Sequence, residues 1–275
     1  QKGIHLVTGK IIADASCFDE NPVPPGWQWS DMGNYYGAGA YGLNDCDNRY
    51  RIYFDSGNVG DTVKVDRIEP NVPGLRLDNR VIASGTKDDA FIYGAPYSLY
   101  QLASGNIPPN RNNYDVDGAV PDPPLQAARR FYSELQKNGI TVKGENVSVR
   151  QRADVNYRDK KQNKLLADHA SPLLRDIVHY VNLKSDNLYA ECLLKTIAVK
   201  KGKPGQVDDG TEAVKKFLET KGLDTEGFYY NDGSGLSRSN AVSVFQLASA
   251  LQLISKEKWF DDFYNSLPVA GVSGS

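Results

Sequence analysis

The sequence predicts an α+β fold in which a β-rich segment is followed by a helical segment, with the change of character near Lys164. Before Lys164, short runs of β-branched and aromatic residues alternate with turns of Gly, Asn and Asp, which is typical of strands. After Lys164, apolar residues recur at helical spacing. A chain of 275 residues can bury a large core and usually holds about one to three domains.

The β-rich segment is predicted to contain a hairpin, several further strands and one helix. His5-Leu6-Val7 and Lys10 to Ala13 flank a Thr8-Gly9 turn, which predicts the hairpin. Pro123 and Pro124 are expected to open the helix, whose apolar stripe ends before Gly139. The further strands are predicted at 51–54, 62–65, 80–83 and 90–93.

The helical segment is divided by its capping signals. We expect Ser171-Pro172 to start the first helix, because Ser is a good cap and Pro is well placed in a first turn. Its apolar stripe reaches Val181, and a second stripe runs from Leu188 to Ile197. A further helix is predicted over 211–219, and Asn240 is expected to cap the next one.

Composition narrows the class of protein. The chain carries 32 Lys and Arg against 34 Asp and Glu, which argues against a nucleic-acid binder with its usual basic face. No apolar stretch is long enough to span a bilayer. No signal peptide is recognisable at Gln1, and because the chain does not begin with Met we expect a processed or truncated start.

The three cysteines lack the spacing of metal ligands, so we expect no metal and no cofactor. Their odd number leaves at least one thiol outside any disulfide. Two alternatives remain for Cys17, Cys46 and Cys192: a Cys17–Cys46 disulfide, or three buried thiols. We favour three buried thiols, because free Cys is among the most buried residue types.

The segment Lys184-Ser185-Asp186-Asn187 holds a Ser-x-Asn pattern. Residues two apart point to the same side only in extended or loop backbone. We therefore expect Ser185 and Asn187 on the short connection between two helices, facing one cleft, with Asp186 pointing elsewhere. Asp186 is expected to hold the turn by a local hydrogen bond. The alternative is a polar turn in which Asn187 caps the second helix.

Ser-x-Asn is one of three motifs that build the active site of penicillin-binding serine enzymes; the others are Ser-x-x-Lys and Lys-Thr-Gly. The sequence contains no Lys-Thr-Gly. Ser84 to Lys87 and Ser255 to Lys258 match Ser-x-x-Lys by letters. The chemistry needs Ser and Lys one turn apart on a helix, and neither place favours one. The attacking Ser and Lys are expected outside this chain.

Over almost its whole length the chain resembles the D-alanyl-D-alanine carboxypeptidase/endopeptidase family of class C low-molecular-mass penicillin-binding proteins (peptidase family S13). The matching stretches occur in the family's order. They are Gly9 to Asp14 with Phe18, Pro25 to Met32, Tyr36 to Ala38, Pro121 to Pro123, Gly139 to Gly144, His169 to Leu173, Lys184 to Ala190, Asp232 to Arg238 and Leu267 to Gly271.

The resemblance implies β-rich inserted domains over residues 1–163 and part of a penicillin-binding, β-lactamase-like transpeptidase domain over 164–275. It implies a serine-type D-Ala-D-Ala carboxypeptidase/endopeptidase that cleaves peptidoglycan stem peptides through an acyl-enzyme in the periplasm or elsewhere outside the bacterial cytoplasm. β-Lactams would inhibit the full-length parent, and this chain alone would be inactive. The alternative is a non-catalytic muropeptide-binding relative that has lost the nucleophile.

The resemblance also implies roles for five residues. Ser185 would bridge the proton network between the catalytic Lys and the leaving nitrogen, and Asn187 would orient that Lys and hydrogen-bond the substrate amide. Arg238, Asp31 and Tyr36 would bind the side chain of the peptide's third residue, where an amino and carboxylate pair suits an Asp and an Arg. The alternative makes Asp31 a turn residue and Arg238 a member of a surface ion pair.

Overall fold

The computed structural model of the protein describes residues 3–149 and 164–274. Within these ranges the chain forms ten strands and seven α-helices, which confirms the α+β prediction. The residues group into two compact units. The β-rich unit consists of His5–Ala15 and Trp27–Val149, and the helical unit contains Ser16–Gly26 together with the described residues 3–4 and 164–274.

Two three-stranded sheets supply the main core of the β-rich unit. In the first sheet β3 lies between β4 and β8 and is antiparallel to both; in the second β7 lies between β5, its parallel partner, and β6, its antiparallel partner. Tyr50, Ile52 and Phe54 of β3 are fully buried while their neighbours are not, as the alternation of a strand requires. The strands are β3 (Arg49–Asp55), β4 (Lys64–Glu69), β5 (Arg76–Ala83), β6 (Phe91–Tyr93), β7 (Tyr100–Ile107) and β8 (Tyr114–Ala119).

The predicted hairpin near the N-terminus is wrong. β1 (Leu6–Val7) pairs in parallel with β9 (Thr141–Val142), and β2 (Ile11–Asp14) pairs in parallel with β10 (Asn146–Val149). A two-residue hairpin turn needs at least one positive φ, and the Thr8-Gly9 segment has none. The chain therefore continues past this point, and strands from the far end of the unit complete both pairs.

The helix predicted after Asp122 is confirmed as α2 (Pro123–Lys137). Asp122 Oδ1 accepts a hydrogen bond from the Leu125 N–H at 3.0 Å, which is a standard helix N-cap. Short helical segments precede the first sheet: α1 (Trp29–Met32) and two 3₁₀ turns, Tyr35–Gly37 and Cys46–Asn48.

Among the described residues, the helical unit contains five helices, all after residue 164. They are α3 (Leu174–Lys184), α4 (Asn187–Lys200), α5 (Val207–Thr220), α6 (Val244–Ile254) and α7 (Phe260–Ser266). α4 packs against α5 and α3 against α7. A Cβ added to Gly210 of α5 would lie 2.6 Å from the Leu194 carbonyl oxygen of α4, so the two helix backbones approach closely. None of the helices in the described ranges is long and apolar enough to cross a membrane.

Two predicted helix starts are wrong. α3 begins at Leu174 after Leu173, and the Ser171 hydroxyl donates to the Pro172 carbonyl instead of capping. α6 is capped by Ser243 in a reciprocal pair with Gln246, a capping box. Asn240 cannot serve there, because its amide already bonds the Asn231 N–H and the Asp232 carboxylate.

The prediction that all three thiols are buried is also wrong. Cys17 and Cys46 are exposed and Cys192 is half-buried, and none of the three forms a disulfide. Cys17 lies in a connecting segment and Cys46 begins a 3₁₀ turn beside Arg130. Connecting segments run over the surface, which explains the exposure of both thiols.

Candidate active site

The connection between α3 and α4 consists of Ser185 and Asp186 alone, and we call it the Ser185 turn. The predicted position on a short inter-helix connection is confirmed for Ser185, whereas Asn187 lies in α4 and not on the connection. Ser185 has φ +53° and ψ +47°, and its N–H bonds the Val181 carbonyl to close α3. A left-handed conformation is uncommon for a residue with a side chain. It turns the chain sharply, so that α4 starts directly after α3 ends.

Asp186 fixes the start of α4. Its Oδ1 accepts a hydrogen bond from the Tyr189 N–H at 2.9 Å, which confirms the expected local hydrogen bond. The alternative in which Asn187 caps the helix is wrong, because Asp186 is the cap and Asn187 is the first helical residue. Asn187 is half-buried and Ser185 is exposed.

One turn further along α4, Glu191 is fully buried. Its Oε1 accepts hydrogen bonds from the Gly233 N–H at 3.0 Å and the Ser234 N–H at 2.9 Å. A Cβ on Gly233 would lie 2.6 Å from the Ala190 carbonyl oxygen. The segment 232–238, which we call the Arg238 loop, is therefore held with its backbone directly against α4.

A second buried carboxylate organises the Arg238 loop from within. Asp232 Oδ1 accepts from the Gly235 N–H at 3.0 Å and from Asn240 Nδ2 at 2.7 Å, and its Oδ2 accepts from the Ser237 N–H at 2.6 Å. Hydrogen bonds to a charged acceptor are stronger than those between neutral groups. The loop is thus closed around Asp232 and anchored from outside by Glu191.

The electrostatics of this cluster follow from its burial. Burial raises the pKa of Glu191 above its ordinary value, the nearby Asp232 charge adds to the effect, and the hydrogen bonds from Gly233 and Ser234 oppose it. Glu191 Oε2 has no hydrogen-bond partner among the described residues. Burial, with the charges of Glu191 and Asp232, raises the pKa of Tyr230 to about 12, so this phenol is neutral near pH 7.

Arg238 directly follows Ser237, the last residue of the loop whose backbone N–H is bound by Asp232. Ser237 is buried, and a Cβ on Gly26 would overlap its side chain, whereas Arg238 itself is exposed. Within the described ranges Arg238 forms no ion pair. A guanidinium at the end of a fixed loop can bind a carboxylate with two parallel hydrogen bonds.

Lys195 lies one further turn along α4 and is fully buried. Its Nζ donates to Asp19 Oδ1 at 2.8 Å and to the Asn21 carbonyl at 2.7 Å. These bonds attach the Ser16–Gly26 segment to α4. Three polar residues of α4 therefore have separate positions: Asn187 begins the helix, Glu191 contacts the Arg238 loop, and Lys195 contacts the Ser16–Gly26 segment.

Asp31 and Tyr36 belong to the β-rich unit, where the structure brings them together. The Tyr36 hydroxyl donates to Asp31 Oδ1 at 3.4 Å. Burial, and then the Asp31 charge, raise the pKa of Tyr36. Ser185, Asn187 and Arg238 belong to the helical unit.

The two literal matches to Ser-x-x-Lys are not arranged for catalysis. Ser84 follows the end of β5 and precedes Gly85, whose φ is +73°. Ser255 lies at the C-terminal end of α6, where its hydroxyl donates to the Gln252 carbonyl at 2.8 Å. Neither Ser is followed by a helical turn that would carry the Lys back to it.

Glu191 is the residue of this cluster that sequence reasoning missed. The signal was present: a carboxylate one turn after Asn187, on the face that also carries Leu188 and Leu194. A charged residue on a predicted buried face requires a polar partner. The sequence alone does not show that the partner is the backbone of the Arg238 loop.

Comparison with known proteins gives a consistent result. The model of the D-Ala-D-Ala carboxypeptidase 3 (S13) family matches residues 1–275. A D-alanyl-D-alanine carboxypeptidase of Actinomadura sp. (strain R39) is 30% identical over 98% of this chain and 51% of its own length. D-alanyl-D-alanine carboxypeptidase DacB of Haemophilus influenzae is 27% identical over 100% of this chain and 56% of its own.

Solved structures agree. The crystal structure of penicillin binding protein 4 from Haemophilus influenzae matches with a TM-score of 0.82 at 25% identity, over 100% of this chain and 59% of that one. A second structure of that protein, in complex with a β-lactam, matches with a TM-score of 0.72 at 24% identity, over 100% of this chain and 58% of that one. The chain thus spans about half the length of the relatives it matches.

Proposed function

Because the chain belongs to the D-Ala-D-Ala carboxypeptidase 3 (S13) family, we propose that it is part of a serine-type D-Ala-D-Ala carboxypeptidase that acts on peptidoglycan stem peptides. The observation that carries the proposal is the Ser185 turn, which presents a Ser-x-Asn motif between two helices in a chain that matches the family throughout. The protein works outside the bacterial cytoplasm, where its substrate is.

The mechanism is acyl transfer to a serine. A Ser-x-x-Lys motif supplied by the full-length protein provides the nucleophile and its base, and the serine attacks the carbonyl of the D-Ala-D-Ala bond. The terminal D-Ala leaves as an amine, and water then releases the peptide from the acyl-enzyme. β-Lactams form the same kind of ester and stall at that stage.

This chain supplies the Ser-x-Asn residues of the reaction centre, Ser185 and Asn187. The Ser185 hydroxyl passes a proton toward the leaving nitrogen, and its position outside the helices leaves it exposed for that role. The Asn187 amide orients the catalytic Lys and hydrogen-bonds the substrate amide. Asp186 and the left-handed Ser185 backbone fix the turn from which both side chains project.

Substrate selection is assigned to Arg238, Asp31 and Tyr36. The guanidinium of Arg238 suits a carboxylate of the peptide's third residue, and the carboxylate of Asp31, which accepts a hydrogen bond from Tyr36, suits an amino group. The exposure of Arg238 and its position after a fixed loop support this assignment. In this proposal residues 1–163 are mainly inserted-domain material and 164–275 belong to the catalytic domain, to which Ser16–Gly26 attaches.

A penicillin-labelling experiment tests the proposed function. Full-length protein containing this chain is incubated with fluorescent penicillin, and the adduct is measured by mass and gel fluorescence. We expect one acyl group per molecule, and we expect none on the isolated 275-residue chain. Ser185→Ala should slow acylation about a hundredfold or more, whereas Ser84→Ala and Ser255→Ala should not change it.

The alternative function, muropeptide binding without catalysis, predicts a different result. Folded full-length protein would then bind stem peptides but give no adduct and release no D-Ala. Acylation of the isolated chain would contradict the proposal in another way, because it would make Ser84 or Ser255 the nucleophile.

A further inference from the structure

We propose that Glu191 is a positioning residue: it fixes the Arg238 loop to the helix that begins at Asn187, and so sets where the exposed guanidinium of Arg238 meets the substrate. The inference deepens the proposed function and rests on it. It assigns a role in substrate selection to a carboxylate that does not itself touch the substrate.

The first step of the argument is the contact. Glu191 Oε1 accepts two adjacent backbone N–H groups, those of Gly233 and Ser234, at 3.0 and 2.9 Å. One acceptor atom that binds two successive amides restrains both the position and the orientation of the peptide plane between them.

The second step is the cost of placing Glu191 there. The residue is fully buried, and among the described residues its Oε2 has no hydrogen-bond partner and no Lys or Arg forms an ion pair with it. A buried carboxylate without a cation is expensive, and an apolar side chain of similar size would pack at lower cost. What an apolar residue cannot provide is an acceptor for the two loop amides.

The third step is the connection to Arg238. From Ser234 the chain passes through Gly235, whose N–H is held by Asp232, to Ser237, whose N–H is held by the same carboxylate. The loop is therefore one closed unit between the Glu191 contact and Arg238. Movement of Gly233 away from α4 would displace Arg238 with it, relative to Asn187 at the start of the same helix.

The test uses three substitutions at Glu191 in the full-length protein. Glu191→Met keeps the length of the side chain and removes the acceptor. Glu191→Asp keeps a carboxylate but withdraws it by one methylene, and serves if the Met variant does not fold. Glu191→Gln retains an acceptor at Oε1 and is the conservative rescue. Glu212→Gln, in an exposed pair with Lys216 on α5, is the control for loss of a carboxylate.

The catalytic readout compares two peptides that end in D-Ala-D-Ala, one with an amino and carboxylate side chain at its third residue and one with an uncharged side chain there. We expect Glu191→Met and Arg238→Ala each to raise KM for the charged peptide about tenfold or more, with kcat and penicillin acylation nearly unchanged in Glu191→Met. Glu191→Gln should retain the preference. The Glu191→Met/Arg238→Ala double variant should be no worse than Arg238→Ala.

A structural readout keeps the inference testable if the enzyme proposal fails. Amide hydrogen exchange of residues 233–237 should be about tenfold faster or more in Glu191→Met, and unchanged in Glu191→Gln and Glu212→Gln. Unchanged exchange in both Met and Asp variants overturns the inference. So does an equal loss of activity on both peptides, which would mean a general structural role. A wild-type protein that is never acylated overturns the proposed function instead.

Discussion

At the scale of single residues, burial decides the chemistry of Glu191. The side chain is enclosed by α4 and the Arg238 loop, and burial raises its pKa. The folded state therefore holds the proton more tightly than the unfolded chain does. Between the unfolded pKa and the raised folded pKa, the unfolded state binds fewer protons, so the free energy of unfolding falls as pH rises through this window.

The pH dependence of stability tests this property. Glu191→Gln should remove that fall, so its free energy of unfolding should increase relative to that of the wild type as pH rises above about 4.5. Each pKa unit of elevation corresponds to about 1.4 kcal/mol. Urea unfolding of both proteins across this range measures the difference. Tyr230, whose pKa is raised to about 12, stays neutral throughout, and a flat difference between the two proteins would contradict the raised pKa of Glu191.

Lys195 gives a second prediction at residue scale. Its removal leaves the carboxylate of Asp19, which is only 13% exposed, without its cation. We expect Lys195→Met to lower the free energy of unfolding by about 3 kcal/mol, measured by urea denaturation. Lys216→Met, which breaks an exposed pair with Glu212, should have no measurable effect. Equal effects of the two substitutions would contradict the buried role of Lys195.

Sequence reasoning reached some of these residues because their signals are local. Asp186 follows the end of one apolar stripe and precedes another, which is enough to predict a turn-fixing hydrogen bond. Glu191 and Lys195 have partners far away in sequence, at Gly233, Ser234, Asp19 and Asn21. Periodicity places them on a helix but cannot identify partners that only the tertiary fold brings near.

At the scale of elements, the sharp connection between α3 and α4 depends on one cap. Asp186→Ala removes the acceptor of the Tyr189 N–H, and we expect a loss of about 1 kcal/mol in the free energy of unfolding. Gln206 precedes α5 without a side-chain cap bond, so Gln206→Ala is the matched control and should change little. Urea unfolding distinguishes the two. An equal loss in both would show that the Asp186 bond does not stabilise α4.

The strands show why pairing is harder to predict than position. Most strands fall near predicted runs, because alternation and flanking turn residues mark them. The sequence does not predict β7 to β10: Gly105, Asn106 and Gly118 within β7 and β8 resemble turn residues, and β9 and β10 are only two and four residues long. The first two strands were placed correctly but paired wrongly. Their partners, β9 and β10, lie more than a hundred residues away, and no local pattern specifies a parallel pair of that kind.

At the scale of the whole molecule, the three thiols differ in their exposure to solvent, and their reactivity can be measured. Cys17 and Cys46 are exposed, Cys192 is half-buried and no disulfide is present. We expect a maleimide to modify Cys17 and Cys46 rapidly in the native protein and Cys192 more slowly. Peptide mass mapping after timed labelling measures the order. A reducing agent should leave the unfolding midpoint unchanged; a lower midpoint would indicate a disulfide.

The overall α+β class follows from the change of periodicity near Lys164, and the family follows from the ordered stretches along the chain. The division of the chain into its two compact units is harder to predict from the sequence. Ser16–Gly26 precedes most of the β-rich unit in sequence, yet it groups with the helices. Gly26 must pack against Ser237, and Lys195 must reach Asp19. Such contacts join distant parts of the chain, and no periodic pattern in the sequence predicts them.

The position of Ser16–Gly26 has a consequence for the order in which the protein is made. A ribosome releases this segment long before α4, whose Lys195 lies 176 residues after Asp19. The strands up to β10 can pair as soon as they emerge, because all their partners have then been synthesised. The early segment must wait, tethered at both ends, until α4 arrives. Docking of Ser16–Gly26 onto α4 is therefore expected to follow the pairing of the strands.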